Sequence, residues 1–149
     1  MTPLAERWPA HAHVPGRNAR HAEDAFDAFR ATVPPGADAE GLARCEAFRS
    51  GLRFLDAGYF WEAHEVLEPV WMALPEGGAE RRLVQSLIQL ANGRLKLRMG
   101  RPKAALRLAA LARGLAPPSE GVPVTLMTVD PRALHRWIDE LERTATCAL

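Results

Sequence analysis

The chain has 149 residues, of which 48% are hydrophobic and 25% are charged, a composition that is typical of globular domains and excludes a disordered chain. Its length is close to the usual size of one domain, so we predict a single domain over residues 1–149. The formal net charge is only +1, and no apolar run approaches the roughly 20 residues that a membrane-spanning helix needs.

The N-terminal sequence and the cysteines bear on location. The first nine residues contain no apolar segment of the kind found in secretory signals. Cys45 and Cys147 have neither the spacing of a metal site nor that of a disulfide framework. We therefore expect a cytoplasmic protein that does not enter a membrane.

Charge is distributed unevenly along the chain. Residues 21–80 carry twelve Asp and Glu against four Arg, whereas residues 81–119 carry nine Lys and Arg and no acidic residue. One interpretation is an anion-binding face, and the other is that the acidic half neutralises the basic half. No aromatic residue interrupts the basic stretch, so base stacking has no support, and we do not expect a nucleic-acid partner.

The spacing of apolar residues and of helix-breaking residues predicts an all-α fold, a compact bundle of five to six helices. Residues 1–19 are predicted to be an irregular N-terminal arm laid over the domain, because prolines interrupt them. A short helix is predicted over residues 20–32. After it come the first, second and third predicted helices, over residues 38–57, 59–73 and 79–99. They are followed by a helix that begins at Pro102 and by one that begins at Pro131, with Asp130 as its N-cap. Residues 119–129 are predicted to be a loop before the last helix, in which 122–127 are candidates for extended backbone.

An internal repeat links two of the predicted turns. Gly58 and Gly100 each end a helix, and Ala63 and Ala105 follow five residues later. Glycine can adopt the left-handed conformation that such a turn needs, and a small alanine lets two helices approach closely. The pattern predicts two stacked helical hairpins whose turns resemble those of tetratricopeptide repeats. The alternative is two antiparallel helix pairs in one bundle.

The second predicted helix carries the candidate site. His64 and Glu68 are four residues apart and therefore project from the same face of a helix. On a helical wheel they lie at the edge of the apolar arc beside Trp71, whereas Glu62 and Glu65 fall on the polar side. At such a boundary, partial burial and a neighbouring charge can both alter the protonation of a side chain.

Three interpretations of this pair remain open. The first is a divalent metal site in which His64 and Glu68 are ligands and Glu65 is a base. This interpretation needs another ligand, for which the candidates are His11, His13, His21 and His135. The second is a metal-free site for a small ligand or for acid–base chemistry. The third is a salt bridge that only fixes helix packing.

A polar stripe on the third predicted helix favours a site slightly. Gln85, Gln89, Asn92 and Lys96 share one face, opposite Arg94 and Arg98. If the arginines face water, the stripe points inward, where a buried amide without a partner costs roughly 1–3 kcal/mol. We predict that His64 and Glu68 are its partners. The small residues Ser86 and Gly93 lie beside the stripe and permit close helix contact.

Residues 55–71, which include Glu-Ala-His-Glu-Val-Leu-Glu at 62–68, resemble the signature of an all-helical family known as domain of unknown function 309. Residues 87–91 with the Gly100 turn, and residues 13–16 with Arg20 and His21, resemble further features of that family. The resemblance implies a small all-α fold in a soluble prokaryotic protein and implies no reaction. His64, Glu68 and Gln89 match motif positions, while Asn92 and Gly93 stand where small apolar residues are expected.

Two classes of function follow from these patterns. The first is a domain with a polar ligand- or metal-binding site between the second and third predicted helices, formed by His64, Glu65, Glu68, Trp71, Gln85, Gln89 and Lys96. The second is a helical protein-interaction scaffold in which the polar cluster is purely structural. The sequence does not decide between a small ligand and a protein as the partner. It also leaves open whether the protein is an enzyme and whether it forms a homo-oligomer.

Overall fold

The computed structural model describes residues 2–120 and 125–149, and within them the chain forms seven α-helices and no strand. The helices are α1 (Asp27–Arg30), α2 (Ala39–Arg44), α3 (Glu46–Ala57), α4 (Phe60–Ala73), α5 (Ala79–Arg98), α6 (Pro102–Leu115) and α7 (Pro131–Cys147). The predicted all-α class is confirmed. The chain divides into two compact units, Met1–Leu74 and Pro75–Leu149, and each is described here by itself.

Two predicted helices differ from the structure. Only Asp27–Arg30 is α-helical in the predicted helix 20–32, and the predicted helix 38–57 is divided at Cys45, whose ψ of 152° is extended. The spacing of apolar residues did not indicate this break, because Cys45 is buried and continues the helical spacing between the buried residues Leu42 and Phe48. At the break, Thr32 Oγ1 accepts a hydrogen bond of 2.9 Å from the backbone N–H of Ala47, which satisfies an amide that has no helical partner.

The predicted loop at 119–129 is described in part. Residues 121–124 lie outside the described residues, and with them half of the stretch predicted as a candidate for extended backbone. An isolated antiparallel bridge joins Leu126 and Val129. No helix in the described part of the chain is both long and apolar enough to cross a membrane.

The first unit contains the hairpin predicted at Gly58. Gly58 has a φ of 93°, and the N–H of Tyr59 donates to the carbonyl of Phe54 at 2.8 Å, which closes the end of α3. Ala63 follows on α4 and is completely buried. Helices α3 and α4 then pack side by side, with a fully buried apolar face that comprises Phe48, Phe54, Val66, Leu67 and Val70.

The second unit repeats the same turn. Gly100 has a φ of 74°, and the N–H of Arg101 donates to the carbonyl of Lys96 at 2.9 Å. Ala105 on α6 is completely buried, as Ala63 is on α4. Both predicted hairpins are therefore present, each with a left-handed glycine at the turn and a buried alanine five residues later.

Helix α7 completes the second unit by packing against α5 and α6. Asp130 accepts a hydrogen bond of 2.9 Å from the N–H of Arg132, so the predicted N-cap before Pro131 is confirmed. Leu134 and Ile138 on the apolar stripe of α7 are completely buried. Gly93 of α5 lies against this helix, where an added Cβ would be 2.6 Å from Cδ2 of Leu141.

A glycine also sets the distance between α3 and α4. A Cβ on Gly51 would lie 2.6 Å from Cγ of Leu67, which is completely buried. We expect Gly51→Ala to destabilise the protein by about 1–3 kcal/mol, because overpacking forces the two helices apart. Urea unfolding followed by circular dichroism measures the effect. The control is Gly114→Ala, where a Cβ meets no atom within 4 Å and the higher helix propensity of alanine is expected to stabilise slightly. Equal stabilities for the two variants would contradict this account of the packing.

The N-cap of α7 makes stability depend on pH. The hydrogen bond from the N–H of Arg132, with help from the charges of Arg132 and Arg136, holds the pKa of Asp130 below its ordinary value of 3.8. A lowered pKa in the folded state means that the carboxylate stabilises the fold above the ordinary value and loses this effect as the pH falls through the lowered one. We expect Asp130→Asn, which caps without a charge, to melt below the wild type at neutral pH. The difference in melting temperature is expected to shrink in acid; a difference that is constant with pH would rule out the charge effect.

Candidate functional site

In the structure the N-terminal arm comprises residues 2–21 and ends two residues later than the predicted arm, residues 1–19. Arg53 on α3 anchors the arm to the first unit. The guanidinium Nη2 of Arg53 donates hydrogen bonds to the carbonyls of Leu4 (3.1 Å) and Arg7 (3.0 Å). The central carbon of this guanidinium, Cζ, lies 4.6 Å from the centre of the Trp8 ring, which is a favourable cation–π distance. One charged side chain thus fixes the first turn of the arm by both polar and aromatic contacts.

The central feature of the site is the carboxylate of Glu62 on α4, which has no exposure to solvent. Its Oε2 atom lies 2.8 Å from the backbone nitrogen of His13 and 2.6 Å from Nε2 of His21, and both belong to the arm. Its Oε1 atom has no hydrogen-bond partner among the described residues. The helical wheel placed Glu62 on the polar side of the helix, and in the structure the arm covers that side, so the carboxylate is buried.

The rest of the arm is shaped so that its histidines meet this carboxylate. Asn18 closes a loop by accepting from the N–H of Val14 (3.0 Å) and donating to the carbonyl of Ala12 (2.9 Å). Nδ1 of His13 also lies 3.0 Å from the Asn18 side-chain oxygen. Gly16 supplies the positive φ of 84° that the turn requires. The loop therefore directs the backbone N–H of His13 into the protein.

His21 is enclosed by aromatic rings. It stacks on His11 with ring centres 4.3 Å apart, meets Phe26 edge-on at 5.1 Å, and lies 5.7 Å from the ring centre of Trp61. Only 6% of its side chain is exposed. These contacts leave the imidazole little freedom to rotate, and its bond to Glu62 sets which way it faces.

Beside His21 is a cavity of about 310 Å³, called here the His21 cavity. The rings of Phe26 and Trp61 form its aromatic walls. Four charged residues also line it, namely Arg20, Glu23, Arg30 and Glu65. The remaining lining residues are His21 and Ala22. The cavity therefore combines apolar surface with charges of both signs.

The charges of the His21 cavity are partly paired. Arg30 donates to Glu65 at 2.8 Å and also binds Asp27. The guanidinium of Arg20 lies 5.5 Å from the centre of the Trp61 ring. Of the two guanidinium groups at the cavity, that of Arg20 lies over the Trp61 ring and that of Arg30 is paired with the carboxylate of Glu65.

The residues predicted on the second helix, now α4, divide into two groups. His64 and Glu68 form the expected pair, with 2.9 Å between Nε2 and Oε2, and their side chains are 31% and 48% exposed. Trp71 is half-buried and does not line the His21 cavity. Glu65 alone of the predicted site residues lines that cavity, and it pairs with Arg30.

The predicted polar stripe lies on α5 in the second unit. Gln85, Gln89, Asn92 and Lys96 are all half-buried. Of the two arginines on the opposite side, Arg94 is half-buried and Arg98 is exposed. That these side chains meet His64 and Glu68 stays a prediction. The small residues beside the stripe serve the second unit itself: Ser86 is buried and donates to the carbonyl of Ala112 on α6 at 2.7 Å.

A metal site receives no support from the part of the chain that the structure describes. No group of three or more His, Cys, Asp or Glu in residues 2–120 and 125–149 could hold a metal ion. The ring nitrogen Nε2 of His135, one of the suggested additional ligands, lies 2.8 Å from the carbonyl of Pro117. Metal binding by His64 and Glu68 stays a prediction.

Part of the basic stretch is neutralised within its own unit. Arg113 on α6 donates to Asp139 at 2.8 Å and to Glu142 at 3.1 Å, both on α7. The hydrogen bond to Asp139, together with that to Glu142, raises the pKa of the guanidinium. These two acids lie outside the acidic segment 21–80 that was considered as the source of neutralising charge.

The sequence did contain a signal for the site that was missed. His11, His13 and His21 all lie in the arm, and the only role considered for their side chains was that of additional metal ligands. The helical wheel could not show that Glu62 is buried, because a wheel describes one helix and ignores what packs on it. Arg20 and Trp61, which line the cavity, belonged to the family resemblance, but no pattern indicated that they lie close together.

Removing the Glu62 carboxylate should be far more costly than removing that of Glu68. Glu62→Met leaves the N–H of His13 and the imidazole of His21 without their acceptor, and we expect a loss of about 2–4 kcal/mol. Glu68→Met breaks an exposed pair on the same helix and should cost less than about 1 kcal/mol. Denaturant unfolding measures the free energy of unfolding of both variants and of the wild type. Similar losses in the two variants would show that the buried carboxylate has no special role in stability.

Comparison with known proteins gives a family match over part of the chain and no activity. Residues 48–108 match the family model described as Domain of unknown function (DUF309). No curated protein and no solved structure matches the chain. The matched residues include Trp61, Glu62 and His64, whereas the arm with His21 lies outside them. The resemblance to domain of unknown function 309 is thus confirmed over residues 48–108, which hold both the hairpin turns and the buried glutamate.

Proposed function

We propose that this protein binds a small organic molecule in the His21 cavity of its first unit. The observation that carries the proposal is the completely buried Glu62 carboxylate, which holds the imidazole of a residue that lines the cavity. Buried carboxylates are costly unless they are paired, and the partner of this one is the imidazole at the cavity wall. The proposal keeps a polar ligand site but moves it from the predicted place between the helices 59–73 and 79–99 to the side of α4 that the arm covers, where Glu65 is the one predicted residue it retains.

The size and lining of the cavity indicate the kind of ligand. A volume of about 310 Å³ lies at the lower end of the range for small-molecule sites, roughly 300–1,000 Å³. Phe26 and Trp61 offer faces on which a flat apolar group can lie, and Arg20 and Glu65 offer charges at its edge. These features suit a small molecule with a planar body and at least one polar or charged group.

A second function has an observation in its favour, namely the protein-interaction scaffold with a purely structural cluster. Glu62 accepts from the arm backbone at His13, and Arg53 donates to the arm at Leu4 and Arg7. Both contacts would serve equally well in a unit whose histidines only hold the arm in place. The two functions differ in one respect: only the first requires that the cavity accept a ligand.

We also propose a cytoplasmic location. Cys45 is buried and Cys147 is exposed, and both are free thiols. Free thiols are the usual state of cysteine in a reducing compartment.

A cavity-filling substitution tests the proposed site. Ala22→Trp places a large side chain at the cavity without altering Glu62 or His21, and Ala28→Trp adds the same side chain at an exposed position outside the lining. Native mass spectrometry of each purified protein detects any ligand that co-purifies. In parallel, benzoate, benzylamine and phenylalanine, which share a ring and differ in charge, are titrated against the Trp61 indole resonance.

We expect at least one of these probes, or a co-purified compound, to bind the wild type and Ala28→Trp but not Ala22→Trp. The reason is that only Ala22→Trp occupies the space beside His21. If no compound co-purifies and none of the three probes shifts the resonance, the cavity is not a ligand site and the scaffold function stands.

A further inference from the structure

We propose that His21 is a proton acceptor for the bound ligand, acting through its Nδ1 atom, and that Glu62 is the residue that positions it. This inference rests on the proposed ligand site and adds a chemical role to it. The ligand would be a small molecule that carries an acidic O–H, S–H or activated C–H bond.

The contacts of Glu62 decide which nitrogen of His21 carries the proton. Oε2 of Glu62 faces both the backbone nitrogen of His13 and Nε2 of His21. The backbone N–H of His13 can only donate, and the oxygens of the ionised carboxylate can only accept, so the contact with His21 takes an N–H from Nε2. Nε2 is therefore the protonated nitrogen of the neutral ring. Nδ1 keeps its lone pair, and no described residue forms a hydrogen bond with it.

The ring is held in one orientation before any ligand arrives. The bond to Glu62 is 2.6 Å long, His11 stacks on one face of the ring at 4.3 Å, and Phe26 meets it edge-on at 5.1 Å. The side chain is only 6% exposed, yet it lines the cavity. A base that is already oriented at the wall of a cavity avoids the reorganisation that a solvated base undergoes during proton transfer.

The buried carboxylate stabilises the charge that the transfer creates. The ligand X–H bond breaks, the N–H bond forms at Nδ1, and the electron pair stays on the ligand atom. The resulting imidazolium lies against the carboxylate of Glu62, which is shielded from water, so the attraction between them is much stronger than at the surface. The reverse step returns the proton, and no oxidant, reductant or metal takes part.

The chain contains an internal comparison for this arrangement. His64 and Glu68 form the same kind of pair, with 2.9 Å between their atoms. Their side chains are 31% and 48% exposed, so solvent screens the pair. The pair at His21 and the pair at His64 share a chemistry and differ in burial, which makes His64 the matched control for reactivity.

Two measurements on the intact protein test the inference. The first is the tautomer of each neutral histidine ring, from long-range ¹H–¹⁵N spectra. The second is the rate of carbethoxylation of each histidine by diethyl pyrocarbonate, mapped by mass spectrometry. The reagent transfers one ethoxycarbonyl group to the free ring nitrogen, the proton on the other nitrogen leaves, and the remaining half departs as ethanol and carbon dioxide.

We expect His21 to be protonated on Nε2 and to react at least as fast as His64, although it is much less exposed. Ala22→Trp should suppress the modification of His21 and leave that of His64 unchanged. Glu62→Gln keeps an oxygen that can accept from the arm and from Nε2 of His21 but removes the charge, so the tautomer should persist while most of the reactivity of His21 is lost. A variant that loses its fold would affect every histidine alike, so His64 reports on that outcome.

The inference is overturned if His21 is protonated on Nδ1, or if it stays unmodified until the protein unfolds. Its failure is distinct from that of the proposed function. A protein that binds one of the aromatic probes while His21 stays inert has a ligand site without a base. If the protein binds none of the probes, both the proposed ligand site and the proposed proton acceptor are refuted.

Discussion

The arm and α4 depend on each other through one carboxylate. Glu62 is completely withdrawn from water, and an ionised carboxylate in that position is costly unless hydrogen bonds replace those of the solvent. The replacement comes from the backbone of His13 and the side chain of His21, both in the arm. Without the arm, Glu62 would face solvent as an ordinary helix residue. Without Glu62, two polar groups of the arm would be buried with no acceptor.

The same contact explains why a polar cavity exists in so small a unit. Proline-rich, irregular chain has no regular hydrogen bonding of its own, so it needs anchors to stay folded. Arg53 is one anchor, at Leu4 and Arg7, and Glu62 is the other. Beside the second anchor is the His21 cavity, and the side chains that line it come from the arm, α1 and α4. A site that arises in this way joins residues far apart in sequence, such as His21 and Trp61.

Parts of the fold could be predicted because they depend on neighbouring residues alone. The left-handed conformations of Gly58 and Gly100 and the N-cap at Asp130 were all recognisable from local sequence, and the structure has each of them. The pairing of His64 with Glu68 likewise follows from helical spacing. The break at Cys45 could not be predicted in this way, because the apolar rhythm continues across it and the amide it frees is bonded by the distant Thr32.

The sequence by itself determined that this protein is all-helical, where its two hairpins turn, and that residues 48–108 resemble one family. These properties follow from interactions over a few residues along the chain. Only the tertiary structure decided that Glu62 is buried and that His21 reaches it from 41 residues away. Helical periodicity records which face of a helix is apolar, but it cannot record that another segment will cover the polar face and supply the hydrogen bonds that make its burial tolerable.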